Sequence, residues 1–127
     1  MFCVTPNNGT TTGSQVCTGW TSVGHTVTFY KDSGYSSTHL TLAYEKAGSG
    51  TCLNVYDYLS SFNDDASSYK FYATSSSTTL TLYKDGNCSG TTTSRTVSAS
   101  GNDLVSSMSG TLGSTWQDSL SSIKVKW

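Results

Sequence analysis

One short pattern occurs twice in this chain, and the spacing of its copies limits what the chain can fold into. Tyr30-Lys31-Asp32 returns as Tyr83-Lys84-Asp85, an offset of 53 residues (83 − 30). Asp64 returns as Asp118, and Ser67-Ser68-Tyr69-Lys70-Phe71 is matched by Ser121-Ser122-Ile123-Lys124-Val125, both at an offset of 54 (118 − 64; 121 − 67). Two separate anchors at nearly one period do not follow from a Ser-rich composition, and a fixed period marks repeated structural units. At 127 residues the chain can bury one modest core and has little left for a second domain. The two copies are therefore expected to be similar units stacked on one shared core.

The local patterning makes those units β-structure. In "HTVTFYKD", Val27 and Phe29 face opposite to Thr26, Thr28 and Tyr30; in "HLTLAYE", Leu40, Leu42 and Tyr44 share a face. "SSYKFYA" groups Tyr69, Phe71 and Ala73, "TTLTLYKD" groups Leu80 and Leu82, and "SSIKVKW" groups Ile123, Val125 and Trp127. This is the period of two expected of half-buried strands, and no segment sustains a period of 3.6. Clusters of Gly, Ser, Asn and Asp between the runs read as turns. Short strands punctuated in this way predict an all-β sandwich or barrel. Residues 1–24 are polar and turn-rich without a period, and are set apart as an N-terminal extension to a domain over 25–127.

Composition narrows the function classes. A formal net charge of −1 lacks the basic footprint of nucleic-acid binding. No apolar run approaches the roughly 20 residues that span a bilayer, and no basic run suits an anionic membrane surface. Neither nucleic acid nor membrane insertion is expected. The chain has no G-x-S-x-G elbow, phosphate loop or H-E-x-x-H motif. His25 and His39 are isolated and read as strand-surface residues, and the Trp and Tyr residues as core and hairpin packing. No enzyme is expected.

Cys3, Cys17, Cys52 and Cys88 contain no C-x-x-C pair, which argues against a zinc site. They permit two disulfides in any of three connectivities, or four free thiols. A Cys3–Cys17 bridge would tie down the N-terminal segment. The sequons Asn8-Gly9-Thr10 and Asn87-Cys88-Ser89 favour an extracellular setting over a cytoplasmic one. "MFCVTPNN" has neither the basic start nor the apolar stretch of a signal peptide.

The carboxylates of "FNDDASS" carry the functional signal. Alone, Asp64 and Asp65 serve equally well as cap or turn residues ahead of a strand. Their echo in "WQDSLSS" makes them one half of a pair. The order hairpin, loop, hairpin, loop resembles the βγ-crystallin family, from about residue 25 to the C-terminus. The hairpins are Tyr30-Lys31-Asp32-Ser33-Gly34-Tyr35-Ser36-Ser37 and Tyr83-Lys84-Asp85-Gly86-Asn87-Cys88-Ser89-Gly90. They follow the family's aromatic, four residues, aromatic, any residue, Gly pattern, with Ser37 replacing the Gly in the first and Cys88 the aromatic in the second. Cys88 either fills that slot with less volume or pairs with Cys52. Loop one, Asn63-Asp64-Asp65-Ala66-Ser67-Ser68, fits N/D-N/D-X-X-S/T-S throughout. Loop two, Gln117-Asp118-Ser119-Leu120-Ser121-Ser122, departs only at its first residue.

The resemblance implies two Greek-key motifs, about 25–75 and 76–127, forming a β-sandwich that binds up to two Ca²⁺ ions crosswise. Site 1 would use the Lys31 and Asp65 carbonyls, the Ser67 hydroxyl and the Asp118 side chain. Site 2 would use the Lys84 and Ser119 carbonyls, the Ser121 hydroxyl and the Asp64 side chain. Ser68 and Ser122 would bind their own hairpins, and both lysine side chains would point away. Calcium takes six to eight oxygen ligands, and one carboxylate per site implies affinity of roughly 10⁻⁶ to 10⁻³ M. The expected protein is a monomer with calcium as ligand and a structural or buffering role. The alternatives are a secreted killer-toxin-like protein or inhibitor on the same fold, and an adhesion or glycan-binding module.

Overall fold

A computed structural model describes residues 2–7, 16–17, 25–44, 49–58, 63–73, 77–98 and 100–127. The strands read from alternation are present: β3 (Thr26–Asp32), β4 (Ser36–Tyr44), β6 (Ser68–Tyr72), β7 (Thr78–Asp85) and β10 (Ser122–Lys126). Their apolar faces form the core, where Val27, Phe29, Leu40, Tyr69, Phe71, Leu80, Leu82, Ile123 and Val125 are fully buried. Each such side chain contributes about 1.5–3 kcal/mol by leaving water, and together they fix which way every strand faces.

Among the described residues, five more strands complete two antiparallel sheets. These are β1 (Phe2–Asn7), β2 (Val16–Cys17), β5 (Cys52–Asn54), β8 (Ser89–Val97) and β9 (Asn102–Val105). One sheet runs β2-β1-β4-β3-β6-β9 and the other β5-β10-β7-β8. The first unit builds β4-β3-β6 and sends its third strand, β5, to pair with β10; the second builds β8-β7-β10 and sends β9 to pair with β6. This mutual loan of a strand makes the fold an all-β sandwich of two interlocked Greek keys.

The one-turn helices α1 (Val55–Tyr58) and α2 (Met108–Thr111) follow the loaned strands. Ser107 caps α2 by accepting from the Gly110 N–H, and a 3₁₀ turn at Ser114–Trp116 buries Trp116. β8 had no apolar alternation to reveal it. It forms an edge strand through its register with β7, where Thr79 pairs with Thr96 at 2.9 Å and Thr81 with Ser94 at 3.0 Å. Threonine's β-branched shape suits such a polar, pleated surface. In the N-terminal segment β1 pairs along β4 and extends the first sheet, and Cys3 stands opposite Cys17 in the β1–β2 register. The side chains of that segment, and the Asn8 sequon, lie outside the described residues.

Three constraints close the sandwich. Asp103 on β9 receives a bidentate pair from Arg95 on β8 (2.9 and 3.0 Å) and the Tyr69 hydroxyl of β6 (2.6 Å), so it bridges both sheets. Burial acts to raise the Asp103 pKa, but the hydrogen bonds from Arg95 and then Tyr69 outweigh it and hold the carboxyl below its ordinary value. A disulfide joins Cys52 on β5 to Cys88 in the second hairpin, across the boundary between the units. His25, expected at the surface, is only 2% exposed. Its ring packs 4.5 Å from Trp127 and lies 3.3 Å from the Thr78 hydroxyl, and burial pushes its imidazole pKa down.

Candidate metal centre

Each loop is shaped first by backbone. Asp64 and Asp118 both take the left-handed conformation (φ 59° and 52°), which costs most residues energy but which Asp tolerates better than bulky or β-branched ones. The fourth residue of each loop, Ala66 or Leu120, is fully buried and anchors the turn in the core. The loops then clasp one another. The Asp64 N–H donates to the Leu120 carbonyl (2.9 Å), and the Asp118 N–H donates to the Ala66 carbonyl (3.2 Å).

The following residues tie each loop both to its own hairpin strand and to the other unit. Ser67 N–H donates to the Tyr30 carbonyl (2.8 Å) and Ser121 N–H to the Tyr83 carbonyl (3.0 Å). In the opposite direction, the Ser67 carbonyl accepts from Met108 N–H and the Ser121 carbonyl from Val55 N–H. As expected, Ser68 and Ser122 serve their own hairpins. Ser68 Oγ donates to the Asp32 carbonyl (2.7 Å) and accepts from Tyr35 N–H (3.1 Å). Ser122 Oγ donates to the Asp85 carbonyl (2.5 Å) and accepts from Cys88 N–H (2.9 Å). Below hairpin two, Gly90 (φ +77°) carries the bare backbone that the Asp85 carboxylate requires, since a Cβ there would collide with it.

These constraints bring side chains together across the units. Ser67 Oγ donates to Asp118 Oδ1 at 3.1 Å, and Ser121 Oγ donates to Asp64 Oδ1 at 2.7 Å. In each pair the hydroxyl is buried (2% and 7% exposed) and the carboxylate lies at the surface. Lys31 and Lys84 fall where the register with the neighbouring strand jumps, between Tyr30 and Asp32 and between Tyr83 and Asp85. A bulge of this kind leaves the extra residue out of the ladder. The lysine side chains differ in their surroundings. Lys84 Nζ lies over the Trp116 ring at 5.1 Å, whereas Lys31 turns to loop one and pairs with Asp65 Oδ2 at 3.2 Å. Ser119, the counterpart of Asp65, donates its hydroxyl to the Thr115 carbonyl at 2.8 Å.

Sequence reasoning assigned Gln117 no part, yet its Nε2 lies 2.6 Å from Ser67 Oγ and 3.4 Å from Asp118 Oδ1. Its only signal was a side chain one methylene longer than the Asn or Asp of the loop pattern. Among the described residues no three His, Cys, Asp or Glu side chains cluster as metal ligands. The crosswise arrangement instead sets one carboxylate beside one hydroxyl in each of two places. That donor set is all oxygen and suits a hard cation that keeps part of its water.

No family model matches the chain, and no curated protein matches its sequence. Among solved structures it is similar to one of the eye-lens βγ-crystallin domain fold and its evolution, at 18% identity and a TM-score of 0.56 over 98% of this chain and 96% of that one. It is also similar to a clostrillin double mutant in complex with nickel (22% identity, TM-score 0.50, 80% of this chain and 98% of that one). A βγ-crystallin domain from Flavobacterium johnsoniae aligns at 28% identity and a TM-score of 0.49 over 78% of this chain and 91% of that one. The likeness to the first two of these establishes the fold.

Proposed function

Because this chain has the βγ-crystallin domain fold, we propose that it is a calcium-binding domain whose ions bind crosswise between its two Greek keys and stabilise them. Site 1 draws on the Lys31 and Asp65 carbonyls, the Ser67 hydroxyl and the Asp118 carboxylate. Site 2 draws on the Lys84 and Ser119 carbonyls, the Ser121 hydroxyl and the Asp64 carboxylate. The observation that carries this reading is the reciprocal pairing of each buried serine hydroxyl with the carboxylate of the other loop. Two hard oxygens from different units already stand within hydrogen-bond distance in each pair. When bound, calcium supplies a shared positive centre for oxygens of both units, and its role is structural or buffering rather than catalytic.

Ligand that binds only the folded state adds RT ln(1 + [L]/Kd), about 2.7 kcal/mol at a hundredfold excess over Kd. Thermal unfolding in millimolar calcium should therefore show a midpoint several degrees above that in chelator. An unchanged midpoint together with a flat calorimetric titration sinks the proposal. The Cys52–Cys88 disulfide fits an oxidising, extracellular setting. It also keeps a secreted toxin or inhibitor as a second reading, for which growth-inhibition and protease-inhibition assays with calcium and with chelator are the direct measurements.

A further inference from the structure

Resting on that calcium reading, we propose that the two sites are unequal and that Gln117 is the cause. Its carboxamide plugs the Ser67–Asp118 site, so calcium fills the Ser121–Asp64 site first. Ser67 has a single hydroxyl hydrogen, and it points to Asp118 Oδ1 at 3.1 Å. Toward Gln117, 2.6 Å away, Ser67 Oγ is therefore an acceptor, which assigns the amide nitrogen rather than the amide oxygen to that contact. The same nitrogen lies 3.4 Å from Asp118 Oδ1. A neutral N–H donor thus faces the side-chain oxygens that a cation needs, and the two compete for the same lone pairs.

The other loop lacks this plug. Asn63, in the equivalent position and one methylene shorter, donates to Asp64 Oδ2 at 3.1 Å, while Ser121 meets Asp64 Oδ1. The amide there braces the carboxylate from its outer oxygen. Charge does not offset the difference. Lys31 neutralises Asp65 at 3.2 Å, so the second carboxylate of loop one adds no net negative charge to attract an ion to site 1. To enter site 1, calcium must expel the Gln117 amide, and displacing a bond of this kind lowers affinity by about tenfold.

Calorimetric titration with calcium chloride on single-site variants tests the assignment. Asp64→Gly leaves site 1 and Asp118→Gly leaves site 2; glycine is at ease in the left-handed conformation that both positions adopt. Asp118→Gly should retain the tighter event, and Asp64→Gly should retain one about tenfold weaker. Adding Gln117→Asn to Asp64→Gly should tighten the remaining site by about tenfold. Equal affinities in the two single-site variants overturn the proposal. So does Gln117→Asn leaving site 1 unchanged or weakening it, which would make the amide a bystander or a ligand.

A readout independent of the variants comes from nitrogen–proton NMR spectra of the native chain during the same titration. The Asp64 and Ser121 amides should move at lower calcium than those of Ser67 and Asp118, and simultaneous movement counts against unequal sites. Absence of any calcium response in the native chain removes the calcium reading itself, whereas two equal responses remove only the role given to Gln117.

Discussion

Asp103 shows how much one residue carries in a domain with few charges. Its carboxylate holds Arg95 from one sheet and the buried hydroxyl of Tyr69 from the other. Burial, and then the bond to Asp103, push the Tyr69 phenol pKa well above its ordinary value. Removing the carboxylate strands both partners, and Asp103→Ala should cost about 2–3 kcal/mol in urea denaturation at neutral pH. The pH dependence has a definite sign. The folded-state pKa is depressed, so the stabilisation is complete above the ordinary value of 3.8 and is lost as pH falls through the lower, folded-state value. Denaturation midpoints followed from pH 5 to pH 2 should fall more steeply for the native chain than for Asp103→Asn. Parallel curves would mean that the bridge does not sense the proton.

At the scale of elements, each hairpin is pinned by a serine from its own unit, but only hairpin two is also held covalently. Closing a 36-residue separation restricts the unfolded chain and is worth about 3–4 kcal/mol on a loop-entropy estimate. Ser68→Ala should therefore lower the thermal midpoint more than Ser122→Ala in the oxidised protein, and a reductant should narrow the gap; equal losses in both redox states would show that the hairpins are anchored alike.

The same elements show why part of the structure was legible in the sequence. β3, β6, β7 and β10 announce themselves because one face is apolar. β5 and β9 are too short for a period, and β8 takes its shape from pairing with β7. The loops were legible because the repeat gave each Asp and Ser a counterpart. The reach of Gln117 was not, since it depends on one side chain spanning the gap between loops that meet only after folding. His25 was misread because the residue just ahead of a strand gives no local sign that Trp127, at the far end of the chain, will cover it.

For the molecule as a whole, the exchange of β5 and β9 means that neither Greek key has a complete sheet of its own. Core residues from both units lie in one cluster around Phe29, Phe71, Leu82 and Ile123. The domain should unfold in one cooperative step, with the fluorescence of buried Trp116 and far-ultraviolet dichroism giving coincident transitions. Separate midpoints would mean that the two keys melt independently. A large-to-small change in the cluster, such as Phe71→Ala, should lower the single midpoint at a cost of about 3–5 kcal/mol, and both probes should move together.

The loaned strands also make each half depend on the other. Cut between residues 75 and 76, each half would present an open flank where its partner's third strand had been. The domain is thus organised as two like halves in one chain, each completed by the other, in which a position of one half can differ from its counterpart. Gln117 and Cys88 are differences of that kind, standing where the other half has Asn63 and Tyr35.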